Sequence, residues 1–197
     1  AQANGRGVIV VSGHFTTLEM CARLACDVVP LAGMYRPYPQ PAMEWAVLRG
    51  RSRYAAGMFA KDDVRSVAKH LKRGGLLWYA PDQDPSKGDS VFVPFFGQPA
   101  KSLKSTHQLA RLSGAGILSI SAAHEGADIV LRVCDNGLGP TVPSTSQGAG
   151  VGLANLRARL VRLYGDAASL TLQARDGGGA ESVLRVPFRP VLAVVAA

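Results

Sequence analysis

The run Val8-Ile9-Val10-Val11 is the feature that most restricts the fold. Four consecutive β-branched residues leave no polar face, so this strand must be covered on both sides, as in a parallel sheet flanked by helices. A chain built on such a strand is α/β. Ser12-Gly13-His14 ends the run, and Thr16 or Thr17 can cap a helix through Leu18, Cys21, Leu24 and Ala25. The Pro- and Tyr-rich stretch from Tyr35 to Pro41 reads as a loop. Asp62 or Asp63 then caps a helix with Val64, Val67, Ala68 and Leu71 on one face, and Gly74-Gly75 stops it. Leu76 to Ala80 is a second apolar strand, ending in Pro81-Asp82-Gln83-Asp84. A helix over about Ser105 to Leu112 closes this part at Ser113-Gly114-Ala115.

The rhythm then changes. Ile117 to Ala122 and Ile129 to Val133 alternate as strands do, around a turn at Glu125-Gly126. A loop rich in Gly, Ser and Pro runs from Gly137 to Gly150. The helix expected over Val151–Tyr164 sets Leu153, Leu156, Leu160 and Leu163 along one face. Strands near 170–174 and 182–188 flank the turn Asp176-Gly177-Gly178-Gly179. Composition shifts at the same place. Residues 1–115 hold 15 Lys and Arg against 8 Asp and Glu, and residues 116–197 hold 7 against 6. All six lysines and both tryptophans lie before residue 116. We therefore expect two partial α/β domains, 1–115 and 116–197, of different origin.

A net charge of +8 favours acidic partners such as phospholipid headgroups, nucleic acid or an acidic carrier protein. No basic helix or aromatic RNA-binding motif supports nucleic acid. Cys21, Cys26 and Cys134 are odd in number and form no C-x-x-C pair. That argues against a disulfide framework or a zinc site and fits a reducing cytosolic setting. The late apolar run Val191 to Ala197 is too short to cross a bilayer, and no signal peptide is apparent, so membrane contact is expected to be peripheral.

His14 and Glu19 form H-x-x-x-x-E directly after the buried strand. Residues five apart on one helix point away from each other. With His14 at the strand end and Glu19 in the first helical turn, their side chains can converge. The carboxylate would then fix the imidazole tautomer, leaving the other nitrogen to take a proton from a hydroxyl. Such a base, without a protein nucleophile, suits a substrate alcohol attacking a thioester. The spacing alone also fits a solvated surface pair. The run Ser12-Gly13-His14-Phe15-Thr16-Thr17-Leu18-Glu19 resembles the first motif of the bacterial lauroyl/myristoyl lipid A acyltransferases. Met34-Tyr35-Arg36-Pro37, Gly50-Arg51-Ser52-Arg53, Trp78 to Asp84, Ser90 to Gly97 and Leu109 to Ala115 resemble that family's later blocks, in order.

This resemblance covers nearly all of residues 5–115. It implies a site of His14, Glu19, Arg51 and Asp82, with no cofactor for acyl transfer. Arg51 would bind phosphate or steady the developing oxyanion, and Asp82 would hold the site together; otherwise Arg51 is a solvated cation and Asp82 caps a turn. The implied partners are acyl carrier protein and an anionic glycolipid, at the cytoplasm or the cytoplasmic face of the bacterial inner membrane. The family's membrane anchor, which precedes the histidine motif, and its strands after Gly114-Ala115 have no counterpart here, so the acyl-chain pocket is expected to be open or absent.

After Ala115 the resemblance switches. Val133-Cys134-Asp135-Asn136-Gly137-Leu138-Gly139, followed by Gly148-Ala149-Gly150-Val151-Gly152-Leu153, is similar to the ATP-binding domain of sensor histidine kinases. A carboxylate at Asp135 could accept from an adenine amino group, with Gly137 and Gly139 turning tightly against the base. Gly148, Gly150 and Gly152 would let backbone N–H groups approach phosphates at a helix start. The resemblance implies ATP as ligand. Its magnesium site is expected to be incomplete, because His107 and Gln108 occupy the slot of the Asn-bearing helix. The fold class read from the sequence is thus a partial acyltransferase-like α/β core joined to a partial histidine-kinase-type ATPase α/β sandwich.

Overall fold

The computed structural model describes residues 5–82, 89–95, 97–140 and 151–189. It is mixed α/β and divides into two units, Ala1–Ser119 and Ile120–Ala197.

In the first unit, β1 (Val8–Val11) lies between β4 (Leu76–Tyr79) and the first residues of β7 (Gly116–Glu125), parallel to both. β2 (Leu31–Tyr35) and β3 (Gly57–Ala60) extend the sheet beyond β4, giving the order β3-β2-β4-β1-β7. β1 has a strand on each side and so no open edge; of its four β-branched residues Ile9 is buried, while Val8, Val10 and Val11 are partly buried. Alternation along the strands aims Ile9 and Leu77 at one face. There they pack with Val67 and Leu71 of α3 (Val64–Lys72) and Leu109 of α4 (Ser105–Ser113), and the core forms on that side. Right-handed crossovers carry α1 (Leu18–Cys26) and α2 (Pro41–Arg51) to the opposite face, since β1→β2→β3 and β3→β4→β7 run in opposite directions. Neither α1 nor α2 buries a residue fully.

Local sequence explains most boundaries. Asp63 caps α3, its side chain accepting from the Ser66 N–H at 3.1 Å. The stretch expected as a loop from Tyr35 to Pro41 is shorter, because Tyr35 ends β2 and Pro41 opens α2. Proline suits the first helical turn, where its missing N–H costs nothing and its φ is already helical. A hairpin of β5 (Ser90–Phe95) and β6 (Gln98–Leu103) precedes α4.

In the second unit, the rest of β7 is followed in sheet order by β8 (Asp128–Asp135), β10 (Ala180–Pro187) and β9 (Ser169–Ala174). β10 pairs antiparallel with both β8 and β9. Val130 is buried, and so is Leu160 of α5 (Val151–Tyr164). The leucine face expected on α5 is only partly engaged, with Leu156 36% and Leu163 66% exposed. Glu125 bridges Arg132 at 3.0 Å and Arg185 at 2.9 Å, and Arg185 also reaches Asp128 at 3.3 Å. The two arginines hold the Glu125 carboxyl below its usual range.

Candidate active site

β1 and β4 are adjacent, parallel and in register at Val11 and Tyr79. Three residues further along each strand, the chain therefore delivers His14 and Asp82 to the same carboxyl edge of the sheet, the edge where ligand sites of open α/β sheets form. The Asp82 carboxylate takes two bonds from His14. The backbone N–H donates to Oδ2 at 2.7 Å, and ring Nδ1 lies 2.6 Å from Oδ1. Gly13 permits this clasp, since a Cβ there would stand 3.1 Å from Asp82 Oδ2. Partial burial raises the Asp82 carboxyl, and the bonds from the His14 ring and backbone outweigh it, leaving the group below its usual range. An ionised Asp82 selects the tautomer with the proton on Nδ1, so Nε2 carries the lone pair. Nε2 has no partner among the described residues, and the side chain is 41% exposed.

Glu19 does not contact His14. It sits in the first turn of α1 and is bound by Arg51, the last residue of α2, through both Nη2 and Nε, the latter at 3.3 Å from Oε2. The expected His14–Glu19 pairing is thus replaced by two pairs, His14–Asp82 and Glu19–Arg51. A guanidinium offers a carboxylate two charge-assisted bonds, and Asp82 reaches His14 from the neighbouring strand. Spacing along the chain could not reveal that strand adjacency.

Tyr54 donates to Glu19 Oε2 at 3.4 Å, and its ring lies under the Arg23 guanidinium at 5.4 Å. Burial, then the charge of Glu19, pushes the Tyr54 hydroxyl up. On α2, Glu44 accepts from the Tyr35 hydroxyl at 2.7 Å and from the Tyr38 N–H at 2.9 Å, which holds its carboxyl below the usual range. Neither Tyr54 nor Glu44 is marked by a motif, and Tyr35 stands in one only as a member of Met34-Tyr35-Arg36-Pro37. The one signal available for Glu44 was an acid in the first turn of a helix opened by proline.

An apolar recess of about 90 Å³ adjoins the ends of β2 and β4, between Met34, Tyr79, Leu109 and Leu112. Enclosed small-molecule sites usually measure ~300–1,000 Å³, so this recess alone cannot surround a long acyl chain.

In the second unit Asp135 ends β8, and its Oδ1 accepts from the Gly137 N–H at 2.7 Å and the Ala180 N–H at 3.3 Å. The carboxylate thereby shapes its own loop. Gly139 has a φ of 85°, and Gly152 stands exposed in the first turn of α5. Gly148 and Gly150 lie outside the described residues. Gly179 is required where it stands, because a Cβ would fall 2.0 Å from the Asp135 carbonyl oxygen. Among the described residues, no group of three or more His, Cys, Asp or Glu could hold a metal ion.

The sequence profile of the bacterial lipid A biosynthesis acyltransferases matches residues 1–133. The chain belongs to that family. The lipid A acyltransferase match runs past residue 115, where the composition changes, and covers the whole His14–Asp82 arrangement. Similar relatives include the lipid A biosynthesis palmitoleoyltransferase of Escherichia coli (strain K12), 38% identical over 122 residues, or 61% of this chain and 40% of the relative. The lauroyltransferase of the same organism is 42% identical over 115 residues, covering 58% of this chain and 38% of its own. A lipid A biosynthesis acyltransferase of Haemophilus influenzae is 40% identical over 93 residues, covering 47% and 30%. The chain therefore spans two fifths or less of the length of these relatives. Among solved structures, the catalytic domain of the histidine kinase ThkA is 16% identical and covers 44% of this chain and 69% of its own, with a TM-score of 0.31. That likeness is too slight to carry an argument. Among the described residues, no helix is long and apolar enough to cross a membrane.

Proposed function

We propose that this lipid A acyltransferase family member transfers a fatty acyl group from acyl carrier protein to a hydroxyl of an anionic lipid A precursor, at the cytoplasmic face of the bacterial inner membrane. The observation that carries the reading is the Asp82 clasp on His14, which leaves Nε2 without a partner among the described residues. In this reading the acceptor hydroxyl gives its proton to Nε2 while its oxygen adds to the thioester carbonyl carbon. The tetrahedral oxyanion collapses, the C–S bond breaks, and the imidazolium returns the proton to the departing thiolate. Arg51, with Glu19 as its counter-ion, serves as the anion site for a precursor phosphate or for the oxyanion. The test is acyl transfer from acyl carrier protein by wild type and His14→Ala. A general base contributes ~10²–10⁴-fold, and the variant is expected to lose about that much. Equal rates in the two proteins would sink the proposal.

Of the part expected as 116–197, the family match takes in residues up to 133. For the remainder we propose a kinase-derived segment with a nucleotide site at Asp135, Gly137 and Gly139, supported by the placement of Asp135 at a strand end beside a glycine turn. Wild type is expected to bind an ATP analogue and Asp135→Asn to bind it more weakly; no binding by wild type ends this reading.

A further inference from the structure

Charge in residues 1–115 is unevenly placed. From Val64 to Pro81 the chain carries Arg65, Lys69, Lys72 and Arg73 and no acid. From Ser90 to Ala115 it carries Lys101, Lys104 and Arg111, again with no acid. The rest of this part is balanced, with eight cations against eight acids. Its whole excess of seven positive charges therefore falls on the two stretches that contain α3 and α4. These helices share one core, Val67 and Leu71 meeting Leu109, so their outer surfaces adjoin.

On α3 the inward positions are Val67 and Leu71, and Arg65, Lys69 and Lys72 form the outward row, spaced i, i+4 and i+7. All three are exposed, and none bridges a carboxylate among the described residues. Asp63, the acid nearest in sequence, is committed to the Ser66 N–H, and Asp62 lies 3.9 Å from Lys61. Arg111 stands exposed on α4, whereas Lys104 is matched by Asp89 at 2.9 Å. A solvated helix ordinarily mixes both signs and gains from i, i+4 pairs, and α3 does neither.

The row spans about 10 Å along the helix, seven residues at the helical rise. Its near end, at Val64, borders the apolar recess, together with Lys61, Gln108 and Leu112. That is the end of the sheet to which β4 delivers Asp82. Apart from Val64, the outward side of α3 has no apolar or aromatic residue. It lacks the anchor that seats a helix in lipid and the ring that stacks on a base. A straight row of cations beside an apolar entrance fits an acidic protein helix that delivers an apolar cargo.

We propose that the outer face of α3, with Arg111 of the adjoining α4, docks the acidic acyl carrier protein. A helix of the carrier lies along Arg65, Lys69 and Lys72, and the thioester arm enters at the Val64 end. The identity of the partner rests on the acyl-transfer reading; the surface adds where it sits.

The experiment titrates fluorophore-labelled holo-acyl carrier protein with the full chain and follows anisotropy, and a parallel assay gives kcat and KM for the acylated carrier. Wild type is expected to bind, more weakly as salt rises. Lys69→Glu combined with Lys72→Glu is expected to bind at least tenfold more weakly and to raise KM with kcat nearly unchanged. Arg65→Ala, which removes one cation, is expected to lose about twofold and carries the test should the double variant melt early. Arg157→Glu, a charge reversal on exposed α5, is expected to bind as wild type does. His14→Ala is expected to bind normally while losing transfer, so failure of the base and failure of the docking face are read separately. The proposal is overturned if wild type does not bind the carrier, or if the folded α3 variants keep wild-type affinity and KM. It is also overturned if vesicles of phosphatidylglycerol or single-stranded DNA bind wild type as tightly and lose as much in the double variant, since the face would then read charge of any kind.

Discussion

His14 is held by a carboxylate from another strand, and the bond has a pH signature. The Asp82 carboxyl sits below its ordinary value in the folded chain. Its contribution to stability is therefore complete above the ordinary carboxyl value of about 3.9 and is lost as pH falls through the depressed folded value. Asp82→Asn is expected to melt below wild type at neutral pH, with the gap closing under about pH 4. Thermal melts at both pH values check this, and a gap that persists unchanged in acid would count against it. The four residues named from the motifs do occupy one unit, but their partners were legible only in part. His14 and Glu19 are close in sequence, which made them look like a pair. Asp82 is adjacent through the β1–β4 register, and Arg51 through the meeting of α1 and α2. Neither relation exists in linear spacing.

Elements with strong local signals matched expectation. β1, α1, α3, β4, α4 and α5 each had an apolar run or stripe bounded by a cap or glycine. α3 is the clearest case, and its cap makes a test. Asp63→Ala removes the bond to the Ser66 N–H and is expected to cost about 1 kcal/mol, read as a lower melting temperature. Asp62→Ala is expected to change little, because the cap bond comes from its neighbour. β2 and α2 were hidden for physical reasons. β2 carries Gly33 in its middle and ends in Tyr35, beside a proline-rich loop. α2 turns much of its apolar surface outward, so it lacks the inward stripe by which amphipathic helices are found.

At the scale of the whole molecule, β7 carries the chain from one unit into the next. Its first residues, Gly116 to Ser119, pair with Val8 to Val11. A fragment ending at Ala115 would leave four β-branched residues on an open edge, a template for aggregation. A fragment ending at Ser119 is expected to stay monomeric and melt cooperatively, while one ending at Ala115 aggregates or melts lower. Light scattering and thermal melts distinguish them, and identical behaviour would show that β7 is not needed there.

The clasp between His14 and Asp82 joins residues 68 positions apart. The clasp forms only when β4 stands between β2 and β1, where its register with β1 sets the carboxylate beside the ring. Closing a contact this long in sequence costs more loop entropy than forming the turns of the local helices. A sheet lacking β4 would hold the histidine without the carboxylate that orients its ring.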